Sequence, residues 1–433
     1  MKIGKKDILL YAVTDRSWLA PGETLAQKVE QAAQGGVTCI QLREKHASDQ
    51  EFIDLAKQLK PICAAYQLPL IINDNLTVAM AVDADGVHVG QKDMSLPQAR
   101  ALLGPDKIIG TSAHNVEEAK RAVEQGADYI GVGAVFGSST KTDATYLSPQ
   151  TLRAITQAVK IPVVAIGGIN ERNILSLHGS GVDGVAVVSA IFAQKDAALA
   201  AKRLRALSTK MVHGKLRCAI FDVDGTLTDS MYIWENAGSQ LLKNHQIPAP
   251  PDLRSQLGPM TLRQTAAYFN QHYGLHETEE ETMEEICKQV EDEYFYRVPA
   301  KAHVEKVLFW LRQQGIAICI LTASERYHVQ AACQRLGILK YFEKIFTCTE
   351  LGMSKHDPNI FGLVCKSMGV KPWETVVFED ALHAVKTASD SGYFTVAVDD
   401  RYNQDKTEAL QQTADWFIRD YTEIIEKLKP FVD

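Results

Sequence analysis

Two carboxylates one residue apart, Asp222 and Asp224, follow the short apolar run Ala219–Phe221 and lead into the turn Gly225-Thr226. Alternate side chains of a strand share a face, so both acids reach one spot only where the strand ends and the backbone turns. Paired acids repel, and they persist with a cation between them or a proton shared, which suits Mg²⁺-assisted phosphoryl chemistry. The first acid can attack phosphorus; the second can protonate the leaving oxygen and take a proton from water. Further along, Thr322 offers a hydroxyl to phosphoryl oxygens and Lys355 a charge to stabilise an aspartyl phosphate. Glu379-Asp380, closing another apolar run, supplies acids that complete a Mg²⁺ site with Asp222 and Asp224.

A second constellation occupies the first half. Arg43, Lys45 and Lys141 are cations able to hold a pyrophosphate, and Asp74 and Asp93 are carboxylates able to hold a bridging Mg²⁺. Gly167-Gly168 and the backbone around Val188-Ser189 suit a phosphate cradle. Taken singly, these residues have plainer readings: Arg43 and Lys45 as a solvated strand end, His88 as a satisfied core histidine, Asp74 as a helix cap. Their joint placement at the ends of different strands favours one anion-binding mouth.

The elements that must position them follow from hydrophobic patterning. Strands are expected at Ile8–Val13, Val37–Leu42, Leu68–Ile72, Gly86–Val89, Ile108–Gly110, Tyr129–Val135, Val163–Ile166 and Gly184–Val188. Helical stretches such as Leu25–Gln34, Asp49–Tyr66, Val116–Glu124, Pro149–Ala158 and Glu171–Leu177 lie between them. This alternation predicts a (β/α)₈ TIM barrel over residues 1–208, with its site at the C-terminal ends of the strands. A polar stretch, 209–216, reads as a linker. Residues 217–433 read as a doubly wound α/β domain with strands at Ile316–Leu321, Lys344–Cys348, Thr375–Phe378 and Phe394–Val398. Helices at Ile233–Asn244, Thr261–His272 and Glu279–Tyr296 form an insert over about residues 231–299.

Bulk properties agree with this division. A chain of 433 residues with 46% hydrophobic and 23% charged content fits two ordinary globular domains, and a net charge of −7 argues against nucleic-acid binding. Eight scattered cysteines without a Cys-x-x-Cys pair predict reduced thiols in a cytoplasmic protein, with neither zinc nor disulfides. The N-terminal apolar run reads as a first strand rather than a signal peptide, and no segment approaches the ~20 apolar residues of a membrane span. A homo-oligomer is left open.

Two family resemblances rest on these residues. Gln41-Leu42-Arg43-Glu44-Lys45, Ile72-Asn73-Asp74, Gly86 to Asp93, Gly110-Thr111-Ser112, Thr140-Lys141 and Ile166-Gly167-Gly168-Ile169 resemble thiamine phosphate synthase, in order and spacing, over nearly the whole first half. The resemblance implies that Arg43, Lys45, Asn73 and Lys141 hold the pyrophosphate of hydroxymethylpyrimidine diphosphate, with Mg²⁺ on Asp74 and Asp93. It also implies that Gln41 and His88 flank the pyrimidine and that Ser112 lies near the reacting centre. Ser138, Thr140, Gly168, Val188 and Ser189 would receive the phosphate of the thiazole substrate, although Ser138 stands where the family often has threonine. The segment Asp222-Val223-Asp224-Gly225-Thr226 resembles the first motif of the haloacid dehalogenase (HAD) superfamily of phosphatases. The helical insert resembles the cap of its phosphoglycolate phosphatase and β-phosphoglucomutase subgroup, with His356 in place of a proline usual after the lysine.

Together the resemblances imply a bifunctional enzyme that condenses the two precursors to thiamine monophosphate plus pyrophosphate, then releases thiamine. The alternative is a phosphatase acting on phosphoglycolate, a sugar phosphate or a nucleotide. Which of Trp234, Tyr268, Tyr294 or Tyr296 faces the second site is not legible.

Overall fold

A computed structural model of the chain describes residues 2–432 apart from 92, 138–145, 258–259 and 276, and omits the side chains of 234, 235, 254 and 255. It divides into two units, Met1–Gly214 and Lys215–Asp433.

In the first unit eight parallel strands, β1 (Leu10–Val13), β2 (Cys39–Leu42), β3 (Leu70–Asn73), β4 (Gly86–Val89), β5 (Ile108–Ala113), β6 (Tyr129–Gly133), β7 (Val163–Ile166) and β8 (Gly184–Val187), form a closed barrel. The circle closes where Leu10 of β1 pairs with Val185 of β8. Side chains alternate across the wall. Leu10, Ala12, Ile40 and Leu42 pack outward in one core with the helices, while Tyr11, Val13, Cys39, Ile71, Tyr129 and Val164 fill the interior. Burial on both faces is why these strands read as continuous apolar runs.

The differences from expectation have local causes. β5 runs past Gly110 to Ala113, which brings Ser112 into the wall; outward-facing Thr111 is satisfied by its Oγ1 donating to Val89 O at 2.9 Å. The helix expected at Glu171–Leu177 shrinks to a 3₁₀ turn over Ile174–Leu177. The stretch read as a linker belongs mostly to a helix, Ala197–His213. Its Leu204, Leu207 and Met211 recur at helical spacing and are buried in the barrel's outer core, so polarity alone misread those turns.

The second unit is a six-stranded parallel sheet in the order β11-β10-β9-β12-β13-β14, with β9 (Cys218–Phe221), β10 (Ala317–Thr322), β11 (Lys344–Thr347), β12 (Thr375–Glu379), β13 (Phe394–Val398) and β14 (Trp416–Ile418). β14, three residues long and half-buried at the edge, carries too short a pattern to read from sequence. Strand order reverses at β9, the position where open α/β sheets form a crevice beyond their carboxyl ends. Between β9 and β10 lies the insert: helices Met231–Asn244, Leu253–Leu257, Leu262–Tyr273 and Glu279–Asp292, the last continuing into a π-helical turn, Glu293–Arg297. Leu241, Phe269, Ile286, Val290 and Tyr294 give it a core of its own. The acid run is a solvated helix start: Thr278 caps it, and Glu279, Glu280 and Glu281 occupy the first turn, where the helix dipole favours them.

Candidate active sites

Eleven of the expected barrel residues, from six strand ends, line one cavity of about 670 Å³: Gln41, Arg43, Lys45, Asn73, Asp74, His88, Asp93, Ser112, Gly168, Val188 and Ser189. Ser138, Thr140 and Lys141 lie outside the described residues. Asp74 is not the cap of the following helix; Asn75 is, accepting from Val78 N at 2.9 Å. Asp74 instead adopts a left-handed backbone, φ +61°, and its amide donates to His88 O at 2.8 Å. Burial, and then the neighbouring charge of Asp93, raise the Asp74 carboxyl to about 6, with Arg43 offsetting part of this. Two neighbouring carboxylates beside a cation form a donor set suited to a hard divalent ion. Gly168, φ +65°, closes the mouth after β7: a Cβ there would lie 2.3 Å from Gly137 O.

Sequence reasoning missed a pair of tyrosines inside the barrel, of which Tyr11 lines the cavity. Tyr11 and Tyr129 were indistinguishable from apolar strand residues, yet their hydroxyls meet at 2.7 Å inside the barrel. Asn170, Gln194 and His114 also line the cavity, from loops without a motif.

In the second unit, Asp222 closes β9 and its amide donates to Phe378 O at 3.0 Å. Lys355 Nζ bridges Asp222 Oδ1 and Glu379 Oε1, the latter at 2.5 Å, and all three side chains are buried. Carboxylate oxygens of Asp222, Glu379 and Asp380 lie within 4.8 Å of one another. Burial pushes the Asp222 carboxyl up to about 8 despite the opposing pull of Lys355, and it raises Asp380 as well. Three buried acids around one lysine carry more negative charge than one cation neutralises, which is the electrostatic setting a divalent ion completes. Asp380 is oriented by Thr226 Oγ1 at 3.2 Å and Asn403 Nδ2 at 2.7 Å.

Asp224 departs from its expected place among the metal acids. Its carboxylate is gripped by three hydroxyls, Ser230 and Ser324 at 2.5 Å each and Tyr294 of the insert. A single-residue offset around the turn sends the two acids to different partners, one facing cations and one facing proton donors. Thr322 is fully buried at the end of β10, and its Oγ1 accepts from Ser324 N at 3.0 Å. Of the aromatic residues left open, Tyr294 touches an acid of the site, Tyr268 bonds Gln256 within the insert, Tyr296 is exposed, and the Trp234 side chain is outside the description. His356 stacks on His383, with ring centroids 4.1 Å apart and planes inclined by 15°.

Both units resemble known proteins. A family model described as thiamine monophosphate synthase matches residues 10–191, and one described as haloacid dehalogenase-like hydrolase matches residues 219–398. A thiamine-phosphate synthase of Ruminiclostridium cellulolyticum is 52% identical over 200 residues, 46% of this chain and 95% of that protein. One from Clostridium tetani is 48% identical over 198 residues, 46% of this chain and 94% of that protein. Among solved structures, a thiamine phosphate pyrophosphorylase from Pyrococcus furiosus is 39% identical, with coverage of 48% and 98% and a TM-score of 0.45. A putative β-phosphoglucomutase from Thermotoga maritima is 21% identical, with coverage of 49% and 99% and a TM-score of 0.41. With identity near one half across almost the full length of those synthases, the chain belongs to the thiamine-phosphate synthase family and carries, later in its sequence, a haloacid dehalogenase-like hydrolase unit.

Proposed function

We propose that the chain is a bifunctional thiamine-forming enzyme of the cytoplasm: the barrel joins hydroxymethylpyrimidine diphosphate to thiazole phosphate, and the second unit hydrolyses the resulting thiamine monophosphate. The observation that carries the first half is the convergence of residues from six strand ends on one cavity bearing both cations and paired acids. The second half rests on the buried Asp222–Lys355–Glu379–Asp380 cluster, in a chain whose other unit makes a phosphate monoester. All eight cysteines are free and buried, as suits a reducing compartment. Among the described residues no helix is long and apolar enough to cross a membrane.

In the barrel Arg43, Lys45, Asn73 and Lys141 hold the diphosphate, and Mg²⁺ held by Asp74 and Asp93 would neutralise the leaving group's charge. Gln41 and His88 flank the pyrimidine, and Ser112 faces the reacting centre. The bond from the methylene carbon to the pyrophosphate oxygen breaks, the electron-rich aminopyrimidine carries the positive charge, and the thiazole nitrogen forms the new bond. Ser138, Thr140, Gly168, Val188 and Ser189 seat the thiazole phosphate. Gly168→Ala is expected to push the loops after β6 and β7 apart and raise the KM for thiazole phosphate about ten-fold, with the KM for the pyrimidine diphosphate unchanged, measured by pyrophosphate release.

In the second unit Asp222 attacks phosphorus while Asp224 protonates the departing alcohol, and Asp224 then accepts a proton from the water that cleaves the aspartyl phosphate. Thr322 hydrogen-bonds the phosphoryl oxygens and Lys355 balances their charge; Mg²⁺ on Asp222, Glu379 and Asp380 would supply further charge. Feeding both precursors and Mg²⁺ to the intact chain tests the whole reading. Orthophosphate is expected to follow pyrophosphate after a lag, in equal final amount, with free thiamine as the end product. Accumulation of thiamine monophosphate, with faster turnover of phosphoglycolate, sugar phosphates or nucleotides, would assign the second unit to another phosphate monoester.

A further inference from the structure

A continuous hydrogen-bonded chain runs through the barrel interior beneath the cavity. Gln41 Nε2 donates to Tyr11 Oη at 2.9 Å, and Tyr11 and Tyr129 share a hydrogen bond of 2.7 Å between their hydroxyls. Tyr129 Oη lies 3.0 Å from His88 Nδ1, and His88 Nε2 lies 3.1 Å from Ser112 Oγ. Tyr11 and Tyr129 are 1% and 0% exposed, so water does not compete for these groups. Gly110 makes the crossing possible. It pairs with both His88 and Tyr129, and a Cβ there would fall 2.1 Å from Cζ of the Tyr129 ring.

The donor inventory gives this chain a direction. An amide nitrogen can only donate, so Tyr11 accepts from Gln41 and uses its one proton toward Tyr129. Tyr129 then directs its own proton to His88 Nδ1. That nitrogen is therefore the bare one, and Nε2 carries the hydrogen and donates it to Ser112. What remains is the hydroxyl proton of Ser112, a residue lining the cavity. The reverse direction would make Tyr11 accept from both Gln41 and Tyr129 and leave its buried proton only the sulfur of Cys39, a weak acceptor, which is the costlier arrangement. Burial holds both phenols well above their usual range, so neither breaks the chain by ionising.

We propose that Tyr129 is a positioning residue of the synthase reaction: through His88, held as its Nε2–H tautomer, it turns Ser112 into a hydrogen-bond donor toward an acceptor atom of the bound pyrimidine diphosphate. This rests on the synthase reading of the cavity. Without the Tyr129 hydroxyl, His88 is free to take the other tautomer, and Ser112 then donates inward to Nε2 instead of toward substrate.

The test uses the full-length chain and its Tyr129→Phe variant, with pyrophosphate release from hydroxymethylpyrimidine diphosphate and thiazole phosphate as the activity. Tyr129→Phe is expected to lower kcat about ten-fold with KM within about two-fold. The ¹⁵N NMR signals of His88, assigned by difference from a His88→Asn variant, should show the Nε2–H tautomer in the wild type and a shift toward Nδ1–H in Tyr129→Phe. Tyr11→Phe, which cuts the chain upstream but leaves Tyr129 able to donate, should cost less than Tyr129→Phe. An Nδ1–H tautomer in the wild type, an unchanged kcat in a folded Tyr129→Phe, or a larger loss from Tyr11→Phe would overturn the proposal. Absence of pyrophosphate release by the wild type would instead overturn the synthase reading, while the tautomer remains measurable.

Discussion

Asp222→Asn is expected to lower orthophosphate release by at least about 10⁴-fold while pyrophosphate release at the barrel stays within about two-fold of wild type. The amide matches the carboxylate in shape but has no anionic oxygen to attack phosphorus, so the loss is chemical rather than structural. A neutral group also suits the position, because burial already pushes the Asp222 carboxyl to about 8. Lys355 keeps Glu379 as its anionic partner, so the folded stability of the second unit should hold. Following both anions in one reaction mixture checks the prediction, with thiamine monophosphate as the accumulated product. Orthophosphate release within ten-fold of wild type from this variant would remove Asp222 from the role of nucleophile.

Lys355→Met carries the second largest expected effect, about 10³-fold in phosphatase kcat, because the lysine's charge lies directly between Asp222 and Glu379, where the proposed reaction seats the phosphoryl group. It also has a stability signature. Removing one partner of a buried ion pair costs about 3–5 kcal/mol, since the remaining charge stays buried. In the metal-free wild type, Asp222 titrates near 8 when folded against an ordinary value of 3.8, so the folded state binds the extra proton between those limits. Stability is therefore greatest below about pH 4 from this group and is lost as pH rises through 8. Lys355 opposes that rise, so its removal should carry the loss on to higher pH. Mg²⁺ should restore stability most at the alkaline end, where the acids are ionised and free to bind it. Thermal unfolding across pH 5–9, with and without Mg²⁺, reads this out. A midpoint that climbs with pH in metal-free Lys355→Met would contradict the assigned electrostatics.

The two acids after β9 show how far sequence reasoning reached. An apolar strand followed by Asp-x-Asp-Gly-Thr required a turn that gathers charge, and the structure places Asp222 with Lys355, Glu379 and Asp380 in one buried cluster. The same reasoning grouped Asp224 with the metal acids, because strand spacing cannot tell which way a side chain leaves a turn. Its hydroxyl partners, Ser230, Ser324 and Tyr294, come from the residue before the first helix of the insert, from just past β10 and from the far end of the insert. None carries a local pattern that points to Asp224.

Sequence by itself determined the alternation of strands and helices, the division into two catalytic units and the residue types at the strand ends, because those follow from short-range periodicity and from chemistry that each segment declares alone. Only the tertiary structure decided that Asp74 is released from capping by Asn75, that residues 209–213 are helix, and that two tyrosines join Gln41 to Ser112 beneath the cavity. Such facts depend on distances between segments far apart in the chain. Closing the barrel brings Tyr11 to Tyr129, and no window of neighbouring residues contains that information.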